Sequence, residues 1–256
     1  MNNPFDLTGR VAIVTGGNGG IGYGIARGLA RAGASIAVVG RNREKSLDAA
    51  ARLAVDFSVR AEAFTADVSI PEQVGGVTEA VRAAFGRIDI LVNNAGINIR
   101  KRPEVLTLEE WDEVLRVNLT SAFIFSKAIY PIMKGQGGGK IINIGSMTSI
   151  FGAAFAPAYA ASKSGIVQLT KSCALAWAAD GIQVNAILPG FIRTDLTDKA
   201  KAEIPEIHEK VQGRTAAGRW GEPDDLAGTA VWMAAPASDF VTGVAVPVDG
   251  GYSSAV

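Results

Sequence analysis

At 256 residues the chain is long enough for one large α/β domain, and a chain of this size buries roughly three quarters of its unfolded surface without needing disulfides or metal. Lysine plus arginine equal aspartate plus glutamate at 25 each, which leaves no net basic charge of the kind a nucleic-acid footprint requires. Cys173 is the only cysteine and excludes an internal disulfide. Residues 1–10 lack the basic start and apolar stretch of a secretory signal, and no apolar run reaches the ~20 residues that span a bilayer, so the expectation is a cytoplasmic protein without membrane or nucleic-acid partners.

In chain order, β-rich runs at 11–15, 35–39, 61–65, 88–93, 140–144, 182–188 and 244–248 alternate with helical patterns at 21–32, 43–54, 71–85, 108–133, 157–179 and 223–234. Most of the runs are apolar on both faces, as in a parallel sheet covered on each side. The alternation predicts right-handed βαβ units in a doubly wound, seven-stranded parallel sheet of Rossmann type, with helices on both faces. No linker divides residues 1–256, so a single domain is expected. The glycine-rich 135–139 is short enough for a turn. The long, weakly patterned segment 191–219 is expected to be a substrate lid.

The first strand runs directly into Thr15-Gly16-Gly17-Asn18-Gly19-Gly20-Ile21-Gly22, and a helix follows. Glycines let such a turn tighten and let its backbone approach a pyrophosphate, while the helix offers free N–H groups and its positive end. Gly16, Asn18, Gly20, Ile21 and Gly22 are therefore candidate nucleotide-binding residues. At the end of the second strand, Val38-Val39-Gly40-Arg41-Asn42 carries no acid of the type that bonds the ribose 2′-OH of NAD. Gly40 leaves space, and the planar fork of Arg41 suits a 2′-phosphate. NADP is expected over NAD, with dual use open, because Asn18-Gly19 stand where many NADP-using proteins have a basic residue. Asp67 and Val68 follow the third strand as a clamp on the adenine ring. Asn94 and Gly96 follow the fourth, where small residues let a cofactor lie across the sheet edge.

Tyr159 and Lys163 are four residues apart, which places both on one face of a helix. An ammonium near a phenol stabilises phenolate and prepares it for proton transfer. Ser146 lies 13 residues before Tyr159, just past a strand end, where open α/β sheets bind ligands. Taken with Asn118 in Val117-Asn118-Leu119, Pro189-Gly190 with Thr194, and Asp249-Gly250-Gly251, this ordered set resembles the short-chain dehydrogenase/reductase family along nearly the whole chain. The resemblance implies that Tyr159 exchanges the proton and Ser146 holds the substrate oxygen. It also implies that Lys163 binds the nicotinamide ribose, that Asn118 positions a water in a proton relay, and that Ile192 and Thr194 contact the cofactor. No metal is implied, and His208, the only histidine, stands alone. A homotetramer built on the helices of 108–133 and 157–179 is a further expectation from the family.

Within the family, the chain is similar to gluconate and deoxygluconate dehydrogenases through Gly96-Ile97 with Arg100-Lys101-Arg102, the run Gly138-Gly139-Lys140-Ile141-Ile142-Asn143-Ile144, and Ala217-Gly218-Arg219-Trp220-Gly221. The resemblance implies a sugar acid or polyol, oxidised at a secondary alcohol or formed from the ketone. Met147, Ile150, Phe151 and Phe155 suggest an apolar wall and keep open a 3-oxoacyl thioester or another hydrophobic ketone. A cofactor-binding sensor without turnover is the alternative of another class.

Overall fold

A computed structural model describes residues 3–194, 197 and 206–255. Seven strands form one parallel sheet: β1 (Val11–Thr15), β2 (Ser35–Gly40), β3 (Ala61–Thr65), β4 (Ile90–Asn93), β5 (Gly139–Ile144), β6 (Ile182–Pro189) and β7 (Ala245–Val248). Their spatial order is β3-β2-β1-β4-β5-β6-β7. The doubly wound Rossmann-type sheet expected from the alternating pattern is the one observed.

The helices are α1 (Gly20–Arg31), α2 (Arg43–Phe57), α3 (Pro71–Phe85), α4 (Leu108–Leu115), α5 (Ser121–Gly135), α6 (Pro157–Trp177), α7 (Ile207–Arg214) and α8 (Ala227–Ala234). Alternate residues of each central strand feed two separate cores. Ala12, Val14, Ile36 and Val38 point to one face, where Ile25 and Leu29 of α1, Leu53 of α2 and Met233 of α8 cover them. Val11, Ile13, Ala37 and Val39 point to the other, beneath Val81 of α3, Phe125 and Ile129 of α5 and Ala174 of α6. Each fully buried aliphatic or aromatic side chain contributes about 1.5–3 kcal/mol, so the apolar runs fix both layers at once.

Three expected elements differ in detail. The run 88–93 is a strand only from Ile90, although the Asp89 backbone still bonds to Val11 O at 2.9 Å and to the Lys140 N–H at 2.8 Å; the Asp89 carboxylate takes Arg10 Nη1 at 3.0 Å, Arg87 Nε at 2.7 Å and the Val11 N–H at 2.9 Å. The pattern at 108–133 is split into α4, a π-helical turn Arg116–Thr120 and α5. Apolar spacing cannot reveal that turn, since it coincides with tertiary bonds made by Asn118. The first turn of 223–234 is a 3₁₀ turn, Pro223–Leu226. Of the expected lid 191–219, residues 195, 196 and 198–205 lie outside the described residues. The described part includes α7, which rests on the body of the protein through Arg214, 4.6 Å above the Tyr252 ring and 5.1 Å above that of Phe151.

After β3 the chain crosses back past β1 to form β4 on the opposite side. The direction of winding therefore reverses between β1 and β4. Such a reversal opens a crevice at the carboxyl ends of the strands, where ligands bind.

Candidate active site

The carboxyl ends of β1, β4, β5 and β6 lead into one cleft of about 560 Å³. β1 leaves the sheet through Gly16 at φ +62, a left-handed conformation that glycine adopts without strain. Thr15 Oγ1 accepts the N–H groups of Asn94 (2.9 Å) and Ala95 (3.1 Å) and donates to Val92 O at 3.2 Å. Asn94 Nδ2 donates back to the carbonyls of Thr15 (2.9 Å) and Gly16 (3.3 Å). These bonds tie the glycine turn to the end of β4.

α1 then starts without a side-chain cap and without an acid in its first turn. By contrast, Asn42 caps α2 and Thr107 caps α4. Its first N–H groups and its positive end border the cleft at Gly20 and Ile21, an arrangement that suits a pyrophosphate. The glycine cradle, the uncapped helix and the size of the cleft fit a dinucleotide cofactor.

Gly16, Asn18, Gly20, Ile21, Asn94, Gly96, Lys163, Ile192 and Thr194 all line the cleft. Gly22 does not. It is buried under the turn, where a Cβ would overlap the Gly16 carbonyl oxygen and Asn94 Nδ2, so its contribution is close packing. Val68 is buried in the core beside α3. Arg41 and Asp67 sit beyond the lining, with Arg41 Nη1 3.9 Å from Asp67 Oδ2 and the Arg41 side chain 70% exposed. Asp67 is turned inward to Ser69, whose Oγ donates to it at 2.6 Å and holds its carboxyl below the usual range.

β5 delivers Ser146, and the first turns of α6 deliver Tyr159 and Lys163. All three reach the cleft. Ser146 Oγ accepts the Thr148 N–H at 3.1 Å, which leaves its O–H to donate. Burial pushes the Tyr159 phenol up, while a hydrogen bond from Ser146 and the positive charge of Arg100 pull it down. Lys163 is buried, donates from Nζ to Ile144 O at 2.8 Å and lies 5.7 Å from the Tyr159 ring centroid. Burial lowers its pKa to about 8. The backbone of Lys163 is held in turn by Ser149 Oγ at 2.7 Å.

Asn118 stands behind these groups. Its Oδ1 accepts the Ile97 N–H at 2.8 Å, and its Nδ2 donates to Ile97 O at 2.9 Å and Ser162 Oγ at 3.1 Å. With its amide engaged this way, the side chain pins the loop after β4 to α6. The π-helical turn accommodates the reach, as such turns often do at functional sites.

Several cleft residues escaped the sequence reading. Lys45 comes from the first turn of α2, and its only signal was the basic run from Arg41 to Lys45. Asn98 and Thr148 line the cleft, and Asn98 Oδ1 and Thr148 Oγ1 are buried without a partner among the described residues. Trp220 closes one side, with Phe191 edge-on at 5.6 Å. The expected apolar wall is half present. Met147 and Phe155 line the cleft, but Ile150 does not, and Phe151 turns to Tyr252 at 6.5 Å between ring centroids.

Residues 16–253 match a family described as enoyl-(acyl carrier protein) reductase. The 2-dehydro-3-deoxy-D-gluconate 5-dehydrogenase of Bacillus subtilis (strain 168) is 44% identical over 256 residues, covering 99% of this chain and 98% of its own. The chain belongs to the short-chain dehydrogenase/reductase family. It is an NAD(P)-dependent oxidoreductase of that family. The gluconate 5-dehydrogenase of Gluconobacter oxydans (strain 621H) is 38% identical, with 98% of each chain covered. The crystal structure of a gluconate 5-dehydrogenase from Burkholderia cenocepacia J2315, in complex with NADP and tartrate, superposes with a TM-score of 0.94 at 41% identity. That comparison covers 99% of this chain and 98% of the other. Among the described residues no helix is long and apolar enough to cross a membrane.

Proposed function

We propose that this enzyme interconverts a secondary alcohol and a ketone on a sugar acid, with NADP preferred over NAD. The observation that carries the substrate is Arg100: it lines the same cleft as Ser146 and Tyr159, close enough for its charge to act on the Tyr159 phenol. A guanidinium there can take a carboxylate by a charge-assisted bond. Relatives named for gluconate and its derivatives support this reading. The hydrophobic-ketone alternative is weakened by the two wall residues that face elsewhere.

A bound nicotinamide dinucleotide supplies the hydride acceptor or donor. The protein supplies position and proton traffic. Ser146 donates its O–H to the substrate oxygen and stabilises charge developing there. In oxidation Tyr159 takes the hydroxyl proton at its phenolate oxygen, and in reduction it gives that proton back. Lys163, held by the Ile144 carbonyl, would hold the ribose of a bound nicotinamide, and its charge favours the phenolate. Asn118 fixes the loop that carries Gly96 past Lys163. Gly16, Asn18, Gly20, Ile21, Asn94, Ile192 and Thr194 would hold the rest of the cofactor, and Arg41, at the end of β2, would contribute to the 2′-phosphate corner. Ser146, Tyr159 and Lys163 together in the cleft favour turnover over a sensor without it.

The test is a panel of sugar acids, neutral polyols and ketones, assayed with both cofactors. A sugar acid should give the highest kcat/KM. Arg100→Met should raise KM for it by roughly 10- to 150-fold, the range of a lost charge-assisted bond, and leave neutral substrates within a few-fold. It should also move the pH profile. Oxidation needs the phenolate, so its rate rises with pH; removing a cation that lowers the phenol pKa moves that limb to higher pH. Equal losses on neutral and acidic substrates would overturn the assignment of Arg100.

We further infer a cytoplasmic location and a homotetramer, the latter supported by exposed apolar side chains on α4, α5 and α6. Leu108 and Phe123 are 69% and 47% exposed, and Leu175 of α6 is 86% exposed. Exposed apolar surface of this kind marks association sites. Light scattering at micromolar concentration should give about four chain masses, and a particle near 26.6 kDa would refute it. We assign the described flank of 191–219 to a lid that orders over substrate, to be read as a ligand-dependent rise in hydrogen-exchange protection of α7.

A further inference from the structure

The glycine turn contains no basic residue of its own, yet a cation reaches it from another element. Lys45 occupies the first turn of α2, after the Asn42 cap. Its Nζ lies 3.1 Å from where a Cβ on Gly19 would project, and Lys45 lines the cleft beside Gly19 and Asn18. A Cβ on Gly19 would crowd this ammonium, so the glycine leaves space beside the turn for a lysine that arrives from another element.

The corner it enters has a built geometry. Gly40 ends β2, where an acid would otherwise meet the ribose diol. A Cβ on Gly40 would lie 2.5 Å from Asn18 Nδ2 and 2.9 Å from Ser46 Oγ. Asn18 Nδ2 donates to Ser46 Oγ at 2.9 Å, and Ser46 Oγ donates to Asn42 O at 2.9 Å. The chain Asn18–Ser46–Asn42 therefore locks the glycine turn, the end of β2 and the start of α2 together, with Lys45 on the cleft side and Arg41 on the solvent side. Arg41, 70% exposed and 3.9 Å from Asp67, lies outside the cleft lining that Lys45 joins.

We infer that Lys45 is the principal reader of the cofactor's 2′-phosphate, with Arg41 in a supporting role. The inference rests on the NADP reading above and names the residue that enforces it. The ammonium is placed to meet an anionic phosphate, and it gains nothing from a 2′-hydroxyl beyond one neutral acceptor. Charge on this side chain therefore separates NADP from NAD.

The test is equilibrium binding, independent of turnover. Dissociation constants for 2′,5′-ADP, 5′-AMP, NADP⁺ and NAD⁺ are measured by calorimetry on the parent, Lys45→Met, Lys45→Arg and Arg41→Met proteins. Lys45 is exposed on the first turn of α2, so none of these changes touches the core. Lys45→Met should weaken 2′,5′-ADP and NADP⁺ about tenfold or more, leave 5′-AMP and NAD⁺ within twofold, and reduce the dependence of NADP⁺ binding on salt. Lys45→Arg should restore most of the loss, and Arg41→Met should cost less than Lys45→Met. A parent that binds 2′,5′-ADP no better than 5′-AMP would overturn the NADP reading and this inference with it. A parent that prefers 2′,5′-ADP, with that preference intact in Lys45→Met, would overturn only the role of Lys45. Equal weakening of NADP⁺ and NAD⁺ would also overturn it, because Lys45 would then be acting on the pyrophosphate both share.

Discussion

Tyr159→Phe should reduce kcat by at least ~10²–10⁴-fold, the usual worth of a positioned acid–base group, and by more if nothing else in the cleft can exchange the proton. The expectation follows from placement. Tyr159 lines the cleft with Ser146, whose hydroxyl is close enough to lower the Tyr159 phenol pKa. Phenylalanine keeps the ring and its packing and removes only the O–H. Cofactor dissociation constants should therefore stay within about twofold, and the melting temperature should hold or rise slightly, since a partly buried polar atom is removed. Ser146→Ala should lose less, because it removes one donor to the developing charge and leaves the proton path in place. A Tyr159→Phe enzyme retaining activity within a few-fold of the parent would mean that another group carries the proton, and the assignment would fail.

Much of this site was legible in the sequence because its chemistry depends on local spacing. Tyr159 and Lys163 share a face for the simple reason that a helix repeats every 3.6 residues. Ser146 could be placed at a strand end because the apolar run before it stops at Ile144. The inner strands were equally legible: buried on both faces, they are mostly apolar. What stayed hidden depends on distances between elements. The family resemblance marks Asn118, but not that its amide holds Ile97 and Ser162. Arg41 reads as a lone phosphate ligand until Asp67 is seen 3.9 Å away. Lys45 stood only as part of the basic run that begins at Arg41, for the same reason. Nothing in the order of residues says that a side chain of α2 will come to rest over Gly19. Ile150 and Phe151 were misplaced because a short 3₁₀ turn, Met147–Ser149, redirects the chain before them.

Gly22 offers the sharpest expected loss of cofactor affinity from a single methyl group. Its position shows how the fold is bent to make room for a ligand it never touches. A Cβ at residue 22 would overlap the Gly16 carbonyl oxygen and Asn94 Nδ2 together. Neither can yield cheaply. Gly16 is held at φ +62 by the turn, and Asn94 Nδ2 is bonded to the carbonyls of Thr15 and Gly16. Gly22→Ala must therefore push α1 away from the turn or break the Asn94 bonds. Either change tilts the first N–H groups of α1 away from the pyrophosphate. Overpacking of this kind costs about 1–3 kcal/mol, and each 1.4 kcal/mol is a tenfold change in affinity. Both NADP⁺ and NAD⁺ should bind roughly 10- to 100-fold more weakly, with their ratio unchanged, because the 2′-phosphate corner is left alone. The control is Gly75→Ala in α3, exposed and with nothing within 4 Å of the added Cβ. That change should stabilise the protein by about 0.5–1 kcal/mol through helix propensity and leave both affinities as they were. Unchanged cofactor binding in Gly22→Ala would show that the turn absorbs a side chain, and that the Asn94 bonds do not hold α1 in register with the cofactor.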